Sequence, residues 1–499
     1  NGSHFGGVGS FLGGGALTLT GTGAGLTVDV GASVDLNALA FAGTGNLTNE
    51  GNLTGNGVTL GGTLFNNGVA TLTGSALNGG LTNTGTMNVA GTLTLLGASS
   101  TLAGGVINLG GGATLVKDGG VLYWQSGTFG GSGTLSYING GNFAFTGTGD
   151  RIIDNPNLVF AFTDLALPDG SLILRNGGLT FNTAGGNTVI PVGTALILEG
   201  GTITNNGPLN ISGLFGLYGG TFSGNGAINM TGGTIDMPAT SMVNWTATGP
   251  MSNSGTLNLS NRTITNPITN SGIVNAGSGL TFTQLFSNQG TFNLGGNNVT
   301  FSGGYNQSAG TTSFGGGTMS GNVVVTGGTI AGAGNITGNL SLGGSGFTFG
   351  AGDSLNVGGL VAIQSGTVLA LTGGGLSENA VDIYGTLSYS AGTFAPATAL
   401  TLRNGSTFTK AGAGTVTIAG LLDEQAGSTL VIAGGTLDLA GGANLQGGTY
   451  APAAGSTLRF SGGTVTLSGA TTLAGSTELA GGTFAGPGAF NNAGALTVS

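Results

Sequence analysis

A short phrase, an asparagine followed two residues later by a glycine, recurs along this chain at a nearly constant spacing. Two runs of the phrase begin at Asn49, Asn66 and Asn83, and at Asn253, Asn270 and Asn288. A fixed period of this length indicates repeat units that bury their apolar residues only by stacking on their neighbours. The sequence therefore predicts a solenoid.

The composition indicates a folded protein. Only 5% of the 499 residues are charged, and 39% are hydrophobic. Disordered chains combine low hydrophobicity with high net charge, which is the opposite pattern. No Pro-rich or charged linker interrupts the repeats, so we expect one continuous body over residues 1–499.

Short alternating segments predict the type of solenoid. In Gly91-Thr92-Leu93-Thr94-Leu95 and similar segments, apolar residues alternate with Thr, Ser or Asn. This pattern is typical of strands with one buried face. Two or three such strands in each period make one coil of a parallel β-helix, so the predicted fold is all-β with about 17–19 residues per coil and roughly 27 coils.

Four sub-regions are predicted along the helix. Residues 1–145 form the first coils, and residues 146–180 form an irregular charged segment in which the Asn-X-Gly rhythm is lost. Residues 181–384 return to Asn-X-Gly coils, and residues 385–499 carry Gly-Thr repeats.

The six repeated asparagines are predicted to form a structural ladder at a corner of the coil. Asparagine tolerates a left-handed backbone, and its amide can bond to the asparagine one coil above or below. We expect the glycine that follows to supply a positive φ. This structural role accounts for the asparagines without a ligand.

The segment Phe408–Gly420, with Lys410-Ala411-Gly412-Ala413-Gly414-Thr415, resembles the strand repeats of autotransporter passengers. The Asn-X-Gly and Gly-Gly-Thr phrases are similar to those of autotransporters and of two-partner-secreted, filamentous haemagglutinin-like adhesins of bacteria. The resemblance implies a right-handed β-helix on the bacterial cell surface or outside the cell. It also implies export through an outer-membrane transporter.

The charged residues and the missing residue types argue against several kinds of site. The seven basic residues are scattered along a chain of net charge −10, so we expect no nucleic-acid partner. There is no cysteine, and His4 is the single histidine, which leaves neither a thiolate zinc site nor an imidazole base in mid-chain. We expect no cofactor, no metal and no catalysis.

The densest charged stretch contains the candidate ligand contacts Asp150, Asp154 and Asp164. Paired carboxylates on a β-helix suit a polysaccharide lyase or glycoside hydrolase, or a carbohydrate or calcium contact on a looped-out coil. The alternative is a solvated irregular loop with an Asp–Arg pair. We likewise interpret Glu378 with Asp382, and Asp423-Glu424, as flanking exposed turns.

Tyr123 and Trp124 are the one aromatic pair that could present a surface for stacking on a sugar. Consecutive strand residues face opposite sides, so one of the two rings points outward and the other packs in the core. Together with the aspartates they complete the candidate contacts.

These observations predict a non-catalytic, extracellular β-helical rod, acting as an adhesin shaft or as a self-assembling filament subunit of a bacterium. Its expected partners are other copies of itself, joined end to end or laterally, and glycans of a host or surface. A carbohydrate-active β-helix enzyme centred on residues 150–175 is the competing prediction.

Overall fold

The computed structural model describes residues 3–12, 16–18, 25–97, 99–181, 186–344 and 346–499. These residues form strands and turns, with no helix among them. The chain divides into two compact units, Asn1–Pro250 and Met251–Ser499.

The strands of the first unit are β1 Ser3–Phe5, β2 Val8–Leu12, β3 Ala16–Thr18, β4 Gly25–Val28, β5 Ser33–Asn37, β6 Ala40–Ala42, β7 Asn46–Asn49, β8 Asn52–Asn56, β9 Thr59–Leu60, β10 Leu64–Asn66, β11 Val69–Leu77, β12 Leu81–Asn83, β13 Thr86–Leu96, β14 Ser99–Leu109, β15 Thr114–Asp118, β16 Val121–Gly131, β17 Thr134–Ile138, β18 Asn142–Phe145, β19 Arg151–Phe162, β20 Leu165–Ala166, β21 Gly170–Phe181, β22 Thr188–Ile190, β23 Thr194–Leu198, β24 Thr202–Asn205, β25 Leu209–Ile211, β26 Leu214–Leu217, β27 Thr221–Ser223, β28 Ile228–Met230, β29 Thr234–Met237 and β30 Asn244–Trp245.

The strands of the second unit are β31 Met251–Asn253, β32 Thr256–Leu259, β33 Thr263–Ile264, β34 Ile268–Asn270, β35 Ile273–Ala276, β36 Leu280–Phe282, β37 Phe286–Asn288, β38 Thr291–Asn293, β39 Asn298–Phe301, β40 Tyr305–Gln307, β41 Thr311–Ser313, β42 Thr318–Ser320, β43 Val323–Val325, β44 Thr329–Ala331, β45 Ala333–Ile336, β46 Leu340–Leu342, β47 Gly346–Phe349, β48 Ser354–Ile363, β49 Val368–Ile383, β50 Thr386–Leu402, β51 Thr407–Lys410, β52 Thr415–Ile418, β53 Leu421–Glu424, β54 Thr429–Ile432, β55 Thr436–Leu439, β56 Ala443–Leu445, β57 Gly448–Tyr450, β58 Thr457–Phe460, β59 Thr464–Leu467, β60 Thr471–Leu473, β61 Ser476–Leu479, β62 Thr483–Ala485, β63 Phe490–Asn492 and β64 Leu496–Val498.

Strands of successive coils pair in parallel and in register within each unit. In the first unit, Leu47, Leu64 and Leu81 occupy one position in three successive coils. In the second unit, Met251 and Ile268 share such a position. Repeated parallel pairing of this kind defines a parallel β-solenoid, so the predicted fold class is confirmed for both units.

The coils are longer than predicted outside the Asn-X-Gly runs. Leu64 lies opposite Leu47, which gives the predicted coil length. Arg151, by contrast, lies opposite Gly127, and that coil is several residues longer. Because turns between strands absorb extra residues without disturbing the ladders, the two units contain about 23 turns rather than roughly 27.

Each coil buries alternate residues along its strands, and these apolar side chains form columns through the interior. In β7 and β10, Leu47 and Leu64 are buried while Thr48 and Phe65, between each leucine and the strand's last residue, are only half-buried. In the second unit, Phe282 and Phe301 stack with their ring centroids 5.1 Å apart. Period-2 burial of this kind is what the sequence pattern predicts.

The repeated asparagines form two buried ladders. All six side chains are at most 1% exposed. Asn49 Nδ2 donates to Asn66 Oδ1 at 2.7 Å, and Asn66 Nδ2 donates to Asn83 Oδ1 at 2.7 Å. In the second unit Asn253, Asn270 and Asn288 are joined in the same way, at 2.6 and 2.7 Å. The amide ladder predicted from the sequence is therefore present in both runs.

The predicted backbone conformation of the ladder is wrong. Each asparagine is the last residue of a strand with its side chain turned inward, and none of the six is among the described residues with positive φ. The glycine two places on does not need positive φ either. It is required by close approach, because a Cβ on Gly68 would lie 2.2 Å from the carbonyl oxygen of Gly51 in the preceding coil.

The segment predicted to be irregular is built largely of long strands. β19 (Arg151–Phe162) and β21 (Gly170–Phe181) pair in parallel with each other, and β19 also pairs with Gly127–Gly130 of β16. Runs of β-branched and apolar residues in Ile152-Ile153 and Leu172-Ile173-Leu174 outweigh the charges. The aspartates and Arg175 are exposed or half-buried, whereas Arg151, the first residue of β19, is buried. Although the Asn-X-Gly phrase is missing from this segment, its strands still pair in parallel with those of the neighbouring coils.

We expect Asn66→Ala to destabilise the first unit by about 3 kcal/mol. The substitution leaves the buried acceptor of Asn83 without its partner and removes the bond from Asn66 Nδ2 to the carbonyl oxygen of Thr86. Asn49 Nδ2 loses one of its two bonds and keeps the one to the carbonyl oxygen of Val69. An unpaired buried group costs about 1–3 kcal/mol. Urea unfolding, with hydrogen exchange of the amides in β7, β10 and β12, measures the loss. The control is Asn67→Ala, an exposed neighbour, for which we expect a loss below about 1 kcal/mol. Equal losses in the two variants would contradict the ladder's role.

We expect Gly68→Ala to destabilise the first unit by about 2 kcal/mol or more. The added methyl group meets backbone that cannot move without breaking the ladder. Gly414→Ala is the matched control, because Gly414 has no heavy atom within 4 Å of the position of an added Cβ and no positive φ. That substitution should be neutral or stabilising by up to about 1 kcal/mol. The same unfolding experiment compares them, and a tolerated Gly68→Ala would refute close coil contact.

Candidate functional site

The two aromatic residues proposed as a stacking surface lie on opposite faces of β16. Trp124 is fully buried, and its Nε1 donates to the carbonyl oxygen of Gly127 at 3.2 Å. Its ring packs edge-on against Phe129, with centroids 4.9 Å apart. Tyr123 is half-buried on the outer face. Trp124 is therefore a core residue and not a glycan contact, and Tyr123 alone keeps its ring at the surface.

The three candidate aspartates lie on different parts of the coil surface. Asp150 is exposed immediately before β19. Asp154, within β19, accepts a hydrogen bond from Asn176 Nδ2 at 2.6 Å. Asp164 accepts one from the backbone nitrogen of Asn187 at 2.7 Å. Asp154 and Asp164 thus bond to the following coil.

The carboxylates of the described residues do not gather into a cluster of metal-binding size. Over residues 3–12, 16–18, 25–97, 99–181, 186–344 and 346–499, no group of three or more His, Cys, Asp or Glu side chains is arranged to hold a metal ion. His4 Nδ1 lies 2.9 Å from Asp29 Oδ1 at the surface. The residues named in the sequence analysis are therefore spread over the coils instead of converging on one place.

Three of the seven basic residues are buried inside the coils, which the sequence analysis did not predict. Lys117, Arg151 and Lys410 are at most 1% exposed. Lys117 Nζ donates to the carbonyl oxygen of Gly97 at 3.0 Å, and Lys410 Nζ donates to that of Gly434 at 2.8 Å. Each amine thus satisfies turn carbonyls where the chain leaves one strand for the next.

Arg151 makes the largest of these internal networks. Its Nε donates to the carbonyl oxygen of Trp124 at 3.0 Å, and its terminal nitrogens donate to those of Thr146, Gly147 and Asp169. Burial lowers the pKa of Arg151, and the charges of Asp150 and Asp169 act in the opposite direction. The guanidinium joins β16 to the end of β18 and the turn before β21, and the predicted Asp–Arg pair is replaced by bonds to the backbone.

The acidic residues interpreted as flanking exposed turns in the second unit are mostly buried. Glu378 is 4% exposed, Asp382 9% and Glu424 5%. Asp382 Oδ2 accepts a hydrogen bond from Arg403 Nη2 at 2.6 Å, and Glu424 Oε2 accepts one from the hydroxyl of Tyr450. These carboxylates lie at inward-facing or crowded positions of their strands. A single acidic residue among alternating apolar residues gives no sequence signal that its side chain is buried.

Glu378 is the most unusual of these acids. It lies in a column between Val357 and Pro396, and neither of its carboxylate oxygens has a hydrogen-bond partner. Burial raises its pKa to about 9, so the side chain is neutral at pH 7. Burying the neutral carboxylic acid costs less free energy than burying a carboxylate, but the side chain forms no hydrogen bond within the coil.

We predict that Glu378 makes the second unit less stable as the pH rises. The folded state holds this proton up to about pH 9, whereas the unfolded chain releases it near pH 4.5. Between these values the free energy of unfolding falls by about 1.4 kcal/mol per pH unit from this group. Glu378→Gln should therefore stabilise the unit by about 3 kcal/mol at pH 7 and by little at pH 4.

Urea unfolding of the wild type and the variant at pH 4, 7 and 9 measures this difference. The control is Glu50→Gln, at the protein surface, where the new amide can still accept the bond from Asn67. We expect that control to change stability by less than about 0.5 kcal/mol at every pH. A gain from Glu378→Gln that is the same at pH 4 and pH 9 would contradict the prediction.

No described helix is long and apolar enough to cross a membrane. Comparison of the chain with protein-family models, with curated proteins and with solved structures found no match. The arrangement of its own residues is thus the basis for assigning a role to this β-solenoid.

Proposed function

We propose that this chain is a non-catalytic, extracellular shaft of a bacterial surface or secreted protein, of the kind that carries an adhesin away from the cell. The observation that carries the proposal is the use of its buried amides and its few charged side chains to join one coil to the next. The likeness of its repeats to those of bacterial exoproteins supports the extracellular location and export through an outer-membrane transporter.

Buried amides support this role because they make stacking specific. A backbone ladder alone allows neighbouring coils to slip by two residues with the same faces buried. A buried asparagine whose amide bonds to the asparagine of the adjacent coil opposes this slip, because the shifted amide loses its partner. We expect a stack held by such bonds to keep its coils in register under load, as a shaft requires.

Ion pairs between adjacent coils also support a structural role for the charged residues. Arg175 Nε lies 2.8 Å from Glu199 Oε2, and Arg403 Nη2 lies 2.6 Å from Asp382 Oδ2. A longer contact of 3.6 Å joins Arg459 Nε to Glu478 Oε2. With the three buried basic residues described above, six of the seven basic side chains link neighbouring segments of the stack. A catalytic or anion-binding role would need such groups to be turned toward a ligand.

The exterior supports weak contact with neutral partners. Asn258, Asn275 and Asn293 form a second amide ladder on the outer face of the second unit, with both bonds 2.9 Å long. Amides and hydroxyls repeated at the coil spacing present the same neutral groups many times. We propose that glycans of a host or surface, or further copies of the chain, bind this exterior through many weak contacts.

A pulling experiment tests the proposal. The full chain is held by its two termini between domains of known unfolding force, and its resistance is measured by atomic force microscopy. We expect the chain to outlast the reference domains or to yield coil by coil at high force. The double variant Asn66→Ala, Asn270→Ala should yield at clearly lower force, because one ladder in each unit is broken.

The control for the pulling experiment is Gly414→Ala, which leaves both ladders intact. A chain that extends at negligible force would refute the shaft. So would breakdown of acidic or neutral polysaccharides by the purified chain that disappears in the triple variant Asp150→Asn, Asp154→Asn, Asp164→Asn. That second result would establish the carbohydrate-active enzyme instead.

A further inference from the structure

A groove runs over successive coils on the outside of the second unit, from the turn before β42 to β50. One cavity of about 260 Å³ lies at the start of these strands, against Gly316 and Gly334. A second cavity of about 390 Å³ lies at their ends, against Gly358 and Ala395. Asn356 lines both cavities. The two cavities therefore form one continuous groove.

The groove is open because its lining residues are small. Gly358 has no side chain, and Ala395 and Ala397 each contribute only a methyl group to the lining. These three residues are exposed, and so are Asn356 and Asn379. No other part of the described chain covers the groove, so a ligand can enter it from solvent.

Polar side chains repeat along the groove at the spacing of the coils. Asn335, Asn356, Ser377 and Ala395 occupy one outward-facing position in successive coils. Asn379 follows Ser377 by two residues and lies on the same face, because the side chains of a strand alternate between its two faces. Neighbouring coils are about 4.8 Å apart. The groove thus presents a row of amide and hydroxyl groups along the direction of stacking.

The amides in the groove are not bonded to one another, unlike other stacked amides of this unit. In the outer ladder, Asn275 donates to Asn258 and accepts from Asn293, and both bonds are 2.9 Å long. Within residues 186–344 and 346–499, the side chains of Asn356 and Asn379 form no hydrogen bond with other protein groups. Their donors and acceptors are therefore available to a ligand.

The lining of the groove is uncharged at pH 7. Glu378 is the one ionisable residue that lines the two cavities. Burial raises its pKa to about 9, so its carboxyl group keeps its proton. Asp353, beside the groove, accepts hydrogen bonds from the backbone nitrogens of Gly332 at 2.8 Å and Gly350 at 3.1 Å. This carboxylate is held by its own turn and would repel an acidic ligand, so the groove suits a neutral one.

The floor of the groove does not suit a peptide. β48 pairs with both β45 and β49, and β49 pairs with both β48 and β50, so the backbone groups of the floor are used within the stack. The largest apolar side chain of the lining, Val357, is only 1% exposed. Neither strand addition nor an apolar anchor is therefore available here. A ligand that bonds through many hydroxyl groups fits these features.

We propose that this groove binds an extended, neutral polysaccharide whose chain runs from coil to coil. The inference rests on the part of the proposed function that assigns glycans to the exterior, and it adds a site and a ligand class. One sugar ring would lie over each coil, because the coil spacing of about 4.8 Å is close to the length of one ring in an extended chain. Its hydroxyl groups would bond to Asn356, Ser377 and Asn379, and several weak contacts along one chain would add up.

Isothermal titration calorimetry with the full chain tests the proposal. The probe is cellohexaose, an extended chain of β-1,4-linked glucose. Maltohexaose contains the same sugar in a coiled chain, and hexagalacturonic acid is a negatively charged chain of similar length. We expect cellohexaose to bind and each of the two references to bind at least about tenfold more weakly, because the match to the coil spacing or to the uncharged lining is lost.

Variants separate the groove from the rest of the exterior. The double variant Asn356→Ala, Asn379→Ala removes two unbonded amides from the groove. Asn306→Ala, in β40, removes an exposed amide that lies outside the groove in the same unit. We expect the double variant to weaken the binding of cellohexaose at least about tenfold and the control about twofold or less. Circular dichroism checks that both variants stay folded.

Several outcomes would overturn the proposal. Equal binding of maltohexaose would exclude an extended chain matched to the coils, and tighter binding of hexagalacturonic acid would exclude a neutral ligand. Binding of cellohexaose that is unchanged in the double variant would overturn the groove and assign glycans to other parts of the exterior. No binding of cellohexaose at all would refute the glycan site, whereas failure of the shaft would appear only in the pulling experiment.

Discussion

Direct stacking of one coil on the next, at the spacing of about 4.8 Å that a β-ladder imposes, is the constraint on which each unit depends. At this spacing, side chains at one position of successive coils touch, so identical residues either bond to one another or clash. Stacked asparagines stabilise the coils, because the amide of one donates a hydrogen bond that the amide of the next accepts. Any side chain on the stacked glycines would collide with the carbonyl beneath it. The Asn-X-Gly phrase therefore places a residue that bonds to its copy in the next coil two positions before a residue that must have no side chain.

The same constraint explains where the few charges lie. In coils longer than those of the Asn-X-Gly runs, some turn carbonyls face the interior, at places such as Gly97 and Gly434. Lys117 and Lys410 reach these carbonyls from the inside, where water would otherwise be needed. The cost of burying an ammonium group is thereby offset by hydrogen bonds, although burial still lowers the pKa of each lysine. Three of the seven basic side chains, Lys117, Arg151 and Lys410, are thus internal and structural.

How much could be predicted from the sequence differed from feature to feature. Alternation and period predicted the parallel solenoid and the Asn49–Asn66–Asn83 ladder, because both are repeated and each copy confirms the last. Single events were missed. The sequence pattern does not mark Lys117 as buried, and it predicts that Glu378 flanks an exposed turn, since nothing local distinguishes an inward from an outward position once the turns vary in length. The sequence likewise did not show that the candidate contacts Asp154 and Trp124 are hydrogen-bonded within the stack.

The sequence by itself determined the fold class, the strand content and the buried amide ladders, because period-2 burial and a fixed repeat leave few other ways to hide the apolar residues. Only the tertiary structure decided the length of each coil and which charged groups are interior. The physical reason is that these features depend on which residues become neighbours across coils. That register is set by turns whose length the local sequence pattern does not specify.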